Sequence, residues 1–168
     1  MAGPTARDSQ KTPETARNRQ GTGRERGEWH HRVMTEHVSV THIDTQVRLA
    51  RAAAENLRPA DLASELEHGD LVLIDVREPD ELGDGVIEGS VSVPRGVIEF
   101  AANPADLAHR AVLVPSRRVV VYSNTGSRSA LVVHALYALD YRDVAHLAGG
   151  LACWIADGRP VVTQSVIA

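Results

Sequence analysis

Residues 119–136 read VVVYSNTGSRSALVVHAL. An apolar run ends at Tyr122, a short polar stretch follows from Ser123 to Arg128, and a helix-like pattern then begins. A brief apolar run bounded by turn residues is the pattern of a strand buried on both faces. A parallel strand feeding a helix through small residues turns its backbone N–H groups into one concavity, and the helix N-terminus adds partial positive charge. In an open α/β sheet such sites lie outside the carboxyl ends of the strands. The loop Ser123, Asn124, Thr125, Gly126, Ser127 and Arg128, with Ser129 just inside the helix, is therefore predicted to hold an anion or a nucleophile. Arg128 can add a fixed charge with planar donors.

Downstream of this stretch, Ser129–Leu139 carries Leu131, Ala135, Leu136 and Leu139 and predicts a helix. Val144–Leu147 predicts a strand, and Gly149–Asp157 a short helix. Upstream, Leu71–Asp75 reads as a second buried strand and Val91–Val93 as a weaker one. Gly96–Ala102 reads as helical until Asn103-Pro104 breaks it. Pro59 suits a first helical turn, Leu62 and Leu66 share a face, and Gly69 marks a stop. Before that, Ile43, Val47, Ala50, Ala54 and Leu57 recur at helical spacing, which predicts an amphipathic helix over 41–57. Such a helix either lies on the domain or serves self-association. Strands alternating with helices imply an α/β domain with a mostly parallel sheet flanked by helices.

The length of 168 residues corresponds to about one domain, and 43% hydrophobic residues suffice for a core. The single cysteine allows no intramolecular disulfide and fits a reducing compartment. The N-terminus lacks the apolar core of a secretory signal, and no apolar run reaches the roughly 20 residues of a membrane span, so a cytoplasmic protein is expected, with no membrane partner. Charge is uneven: residues 1–33 carry +3 and residues 34–168 carry −7. The acidic balance of the second part argues against nucleic-acid binding. Residues 1–38 are rich in Gly, Thr, Arg, Gln and Pro without apolar period and are expected to be disordered, with Met34 an alternative true start. The folded domain is expected over 58–168.

Four segments in order resemble the single-domain rhodaneses of the thiosulfate sulfurtransferase superfamily. Leu71–Arg77 resembles the hydrophobics-D-V-R strand end, with Asp75 and Arg77. Gly85–Ser90 is similar to G-H-I-P-G-A, Val121–Ser129 to V-Y-C-x-x-G-x-R-S, and Gly149–Trp154 to G-G-x-x-x-W. The spacing of Ser123 and Arg128 resembles rhodaneses rather than cysteine phosphatases, whose loop is one residue longer. The resemblance implies a three-layer domain around a five-stranded, mostly parallel sheet. Asp75 and Arg77 read first as a structural ion pair at a strand end, and such a pair can also support the loop. No cofactor and no metal are expected. A small anion or a sulfur-carrying partner protein is the implied partner.

Ser123 occupies the position at which the family's cysteine takes up a sulfane sulfur as a persulfide. A serine oxygen cannot form that persulfide and is un-ionised near neutral pH unless a base activates it. Val86 and Glu88 also depart from the family's His and Pro. The favoured reading is a rhodanese-like module that has lost sulfur transfer and binds an anion or a protein in a regulatory role. An active sulfurtransferase remains the alternative, if Ser123 replaces a natural cysteine or if Cys153 substitutes. Cys153, beside Trp154, reads as a small buried core residue. As a base for Ser123, His134 is too far, since 11 helical residues span roughly 16 Å. His146 at a strand end is better placed, with a structural role the commoner one. His30, His31, His37 and His42 show no metal-ligand spacing. The acid run Glu78, Asp80, Glu81, Asp84 and Glu88 reads as a solvated face.

Overall fold

Five strands form one sheet in the order β1-β5-β4-β2-β3, and every pairing within it is parallel. The computed structural model describes residues 42–163. The 1–38 segment, Met34, His30, His31 and His37 lie outside the described residues. In chain order the elements are α1 (Ile43–Ala53), β1 (Glu55–Leu57), α2 (Pro59–His68), β2 (Leu71–Asp75), a 3-10 turn Pro79–Asp84 and β3 (Val91–Ser92). After a 3-10 turn Arg95–Val97 come α3 (Ile98–Ala102), β4 (Arg118–Tyr122), α4 (Ser127–Ala138), β5 (Val144–Leu147) and α5 (Gly150–Ala156). Among the described residues no helix is long and apolar enough to cross a membrane.

Successive strand residues point to opposite faces, so each central strand feeds two cores. Val119 and Val121 pack with Val72, Ile74, Val133 and Leu136 under α3 and α4. Val120 and Tyr122 pack with Leu73, Leu62, Leu151 and Trp154 under α2 and α5. This is why β2 and β4 read as unbroken apolar runs: helices cover both faces. The expected α/β architecture, with a five-stranded parallel sheet between helices, is the one observed.

One expectation needs correction. The helix predicted over 41–57 ends at Ala53, and Glu55–Leu57 form the edge strand β1 paired with β5. Asn56 donates its amide to the carbonyls of Arg51 and Ala54 at 2.8 and 2.6 Å, capping the helix end. Leu57 then sits opposite Leu147 and is buried, so the apolar step that resembled another helical turn belongs to a strand. The sheet therefore begins before residue 58. Helix α1 lies on α4 and buries Ala50, while Ile43 and Leu49 remain exposed.

The short edge strand β1 is tied in by charge. Arg118, 17% exposed, donates to Glu55 of β1 at 2.7 and 2.9 Å, to Glu65 of α2 at 3.1 and 3.0 Å, and to Asp143 at 2.6 Å. Those carboxylates hold its pKa above the usual arginine value against the opposing effect of burial. Arg118→Met should lower stability by about 1–2 kcal/mol, because it leaves carboxylates without a partner at a half-wet site. Urea midpoints at low and high salt measure this; the deficit should shrink in 1 M salt, which screens the native pairs.

Candidate functional site

Connections leave the carboxyl ends of the adjacent strands β2 and β4 in opposite directions, one toward β3 and the other toward β5. That divergence makes a crevice at the end of the sheet, the place where open α/β sheets bind ligands. Asp75 is paired with Tyr122 across these strands, and Ser123 follows immediately.

The loop is defined by its carbonyls. Ser123 O accepts from Leu151 N–H at 2.9 Å and Asn124 O from Ala152 N–H at 3.0 Å, both in the first turn of α5. Thr125 O accepts from Arg51 Nη2 at 3.1 Å. Gly126 O accepts from Ser129 Oγ at 3.1 Å and from Ala130 N–H at 3.2 Å. A planar trans peptide points its N–H opposite to its carbonyl. Four carbonyls bound on the scaffold side therefore turn the following amides to the other side. Among the described residues the N–H groups of Asn124, Thr125, Gly126, Ser127 and Arg128 donate to no protein oxygen. The next, Ser129 N–H, donates to Ser123 Oγ at 3.3 Å. Ser123 is 1% exposed, and its hydroxyl proton has no acceptor among the described residues. The arrangement is a row of donors around a buried hydroxyl at the start of a 12-residue helix, suited to oxygens of an anion.

Glycines permit the approach. Gly126, Gly149 and Gly150 all have positive φ, at 80°, 73° and 64°. A Cβ on Gly150 would lie 2.2 Å from Ser123 O and 2.6 Å from Asn124 O. The start of α5 thus rests backbone against backbone on the loop.

Arg128 is not the open cation that the sequence suggested. Its guanidinium closes on Glu81 with Nη1–Oε2 at 2.5 Å and Nη2–Oε1 at 2.6 Å. Glu81 therefore does not belong to a solvated acidic face. The Arg128 hydrogen bonds hold its pKa down at about 2. Glu81 is positioned in turn by Arg77, whose Nη1 donates to Glu81 O at 2.9 Å and whose Nη2 donates to Gly85 O at 2.7 Å. Arg77 and Asp75 form a fully buried pair with Nε at 3.1 and 3.0 Å and Nη2 at 2.8 Å. Asp75 and Arg77 thus reach Arg128 through Glu81. In the departed G-V-I-E-G-S segment, Ser90 Oγ lies 3.0 Å from Tyr122 OH, which also accepts from Ile87 N–H at 3.2 Å.

His146 lies within the site's second layer, fully buried on β5. Asn56, its neighbour in register, spends its NH2 on two backbone carbonyls, so its Oδ1 faces His146 Nε2 at 2.8 Å. That oxygen can only accept, so the ring proton sits on Nε2. Nδ1 lies 3.4 Å from Ser129 Oγ, whose one proton goes to Gly126 O at 3.1 Å. Among the described residues His146 does not reach Ser123, so it is no base for that hydroxyl. Burial, and then the positive charge of Arg51, push its pKa down to about 4. His134 is exposed on α4. Cys153 is exposed too, contrary to the expectation of a core residue. Leu151 and Trp154 take the buried side of α5, and Cys153 Sγ lies against Gly149, where a Cβ would come within 2.1 Å of it.

Sequence reasoning missed Arg51, Asn56 and the role of Glu81. Arg51 Nη2 also donates to Ser127 Oγ at 3.1 Å, so α1 straps the loop. Its contacts span 74 and 76 residues, and no local spacing signals them. Glu81 had one available signal: the nearby Arg77 and Arg128 need partners when partly buried.

Two outcomes follow from this geometry. Gly150→Ala should destabilise the protein by about 2 kcal/mol or more, since it adds left-handed strain to a backbone clash; the urea midpoint reads it, and loop amide NMR shifts should move with it. A histidine with a lowered folded pKa stabilises above its unfolded value near 6.5 and loses that contribution as pH falls toward about 4. Native stability should therefore decline between pH 7 and 5, and His146→Gln should remove most of that slope; an unchanged slope would show that His146 is not buried in its neutral form.

A family model described as rhodanese-like domain matches residues 58–157. A probable adenylyltransferase/sulfurtransferase MoeZ of Mycobacterium tuberculosis is 32% identical over 110 residues, which cover 65% of this chain and 26% of that protein. This chain therefore spans about a quarter of that relative's length. A putative mitochondrial thiosulfate sulfurtransferase of Schizosaccharomyces pombe is 38% identical over 88 residues, covering 49% of this chain and 62% of that one. Among solved structures, a Rhodopseudomonas palustris protein of unknown function described as a possible tyrosine phosphatase has a TM-score of 0.70 at 29% identity, covering 75% of this chain and 98% of its own. The polysulfide-sulfur transferase homodimer of Wolinella succinogenes has a TM-score of 0.58 at 31% identity, covering 73% of this chain and 88% of its own. With the matched segment spanning every strand but β1 and the loop between β4 and α4 at its centre, the chain belongs to the family of rhodanese-like domains.

Proposed function

We propose that this rhodanese-like domain binds a small tetrahedral oxyanion in the Ser123–Ser129 loop, does not transfer sulfur, and serves as an anion-binding or protein-interaction module with a regulatory role. The observation that carries the reading is the row of loop amides without a protein acceptor, surrounding a buried serine hydroxyl. The anion is free or is carried on a partner protein. Ser123 donates its hydroxyl proton to a ligand oxygen, and the amides of 124–128 supply further donors. A cysteine thiolate in this setting would attack a sulfane sulfur and retain it as a persulfide. The serine hydroxyl holds its proton and has no base in contact with it, so it stays a hydrogen-bond donor.

A second reading, an active sulfurtransferase working through Cys153, is favoured by that thiol's exposure and by the contacts of α5 with the loop. It also agrees with the sulfurtransferase names of the relatives. Thiosulfate-to-cyanide sulfur transfer by native protein and by Ser123→Cys separates the two. The expected result is no turnover by the native protein and measurable turnover by the variant. Turnover by the native protein, abolished by alkylation of Cys153, overturns the first reading in favour of the second. Isothermal titration of native protein with thiosulfate, sulfate and phosphate should give heat; none at millimolar ligand removes the anion-binding half.

A further inference from the structure

On one face of the sheet two short helices, α2 with ten residues and α5 with seven, have five strands to cover. The segment Ile87–Gly89 closes part of the remainder. Between that segment, the second half of α2, the start of β2 and the end of α5, a cavity of about 530 Å³ is left. That volume is of the size that takes a small organic molecule. None of its lining residues belongs to the Ser123–Ser129 loop, so it is a different site from the anion cradle.

The lining divides by chemistry. Leu66, Leu71, Leu73, Ile87 and Trp154 give it an apolar surface. Leu66 and Leu71 are only half-buried, so the core cluster they join opens to solvent here. Three charged residues also line it, Glu67, Glu88 and Arg159. The charge of Arg159 is used locally: Nε donates to Asp157 at 2.7 Å, and the guanidinium lies 5.3 Å from the centre of the Trp154 ring. Glu67 and Glu88 are exposed and form no ion pair among the described residues. Glu88 is also one of the departures from the G-H-I-P-G-A pattern, so this negative edge is a feature of the chain itself.

An apolar hollow edged by two unpaired carboxylates is complementary to an apolar group that carries a cation. We infer that the cavity binds a small organic amine, with its apolar group on the leucines and Trp154 and its ammonium group toward Glu67 and Glu88. Burial of the apolar group supplies most of the affinity. The carboxylates choose among ligands of the same shape.

The test uses the full chain and three probes with one apolar group and different ends: phenethylamine, phenethyl alcohol and phenylacetate. Each is titrated at neutral pH and low ionic strength while the indole N–H signal of Trp154 is followed by NMR, with Trp29→Phe assigning the other indole. Phenethylamine should saturate that signal at millimolar concentration. Its Kd should lie about tenfold below that of the alcohol, as two exposed charge contacts allow, with phenylacetate weakest. In the double variant Glu67→Gln, Glu88→Gln the amine should bind no better than the alcohol, whose own affinity stays unchanged. Both substitutions are at exposed positions, so melting temperatures should agree within about 3 °C, which checks the fold. The inference is overturned if the alcohol or phenylacetate binds as tightly as the amine, or if the preference for the amine survives in the double variant. It is equally overturned if no probe shifts the Trp154 signal to saturation at millimolar concentration. None of these results bears on anion binding in the Ser123–Ser129 loop.

Discussion

The site depends on where four carbonyls go. Ser123, Asn124, Thr125 and Gly126 each place their oxygen on a donor outside the concavity, and the amides are left facing inward as a consequence. Two of the donors are backbone amides of α5, and they reach the loop only because Gly150 has no Cβ. Any other residue there would place a carbon 2.2 Å from Ser123 O. None of the four carbonyl contacts uses the Ser123 side chain. That separates the cradle from the nucleophile: changing the atom at position 123 leaves the carbonyl contacts in place.

Buried charge in this domain mostly positions rather than attracts. Asp75 holds Arg77, Arg77 holds the Glu81 and Gly85 carbonyls, and Glu81 holds Arg128. A buried pair of this kind recovers little beyond its desolvation cost, but breaking one partner is expensive. The relay therefore sets the orientation of the Pro79–Asp84 turn and of the first turn of α4. Arg128 loses most of its field to Glu81 as a result.

What was legible in the sequence was local. The β4–loop–α4 stretch was read from its own residues, because an apolar run, a glycine at positive φ and a helix start are fixed within a dozen positions. Leu71–Asp75 and Val144–Leu147 were legible for the same reason. Leu57 was misassigned because a single apolar residue after a helical stripe fits either period, and the pairing with Leu147 that decides it lies 90 residues away. Cys153 was misplaced because apolar neighbours suggested burial, while Gly150, Leu151 and Trp154 take the core side of α5. Arg51 carried no pattern at all, and Glu81 was signalled only by the need of Arg77 and Arg128 for a partner. Their partners are set by how α1 and the Pro79–Asp84 turn pack, which is a property of the fold rather than of spacing.

Serine at position 123 suits a binding loop in a way that cysteine would not. The surroundings that would depress a thiol pKa are the helix start and the inward amides, and they favour any negative charge placed among them. With cysteine present, the thiolate itself becomes that charge and competes with an external anion. With serine present, the side chain stays neutral and adds a donor, so the favourable field is available to a ligand instead. The Ser129–His146–Asn56 chain works in the same direction. A neutral His146, held by Asn56 through Nε2, lies beside Ser129 and brings no positive charge beneath the loop. Its lowered pKa keeps it neutral across the physiological range.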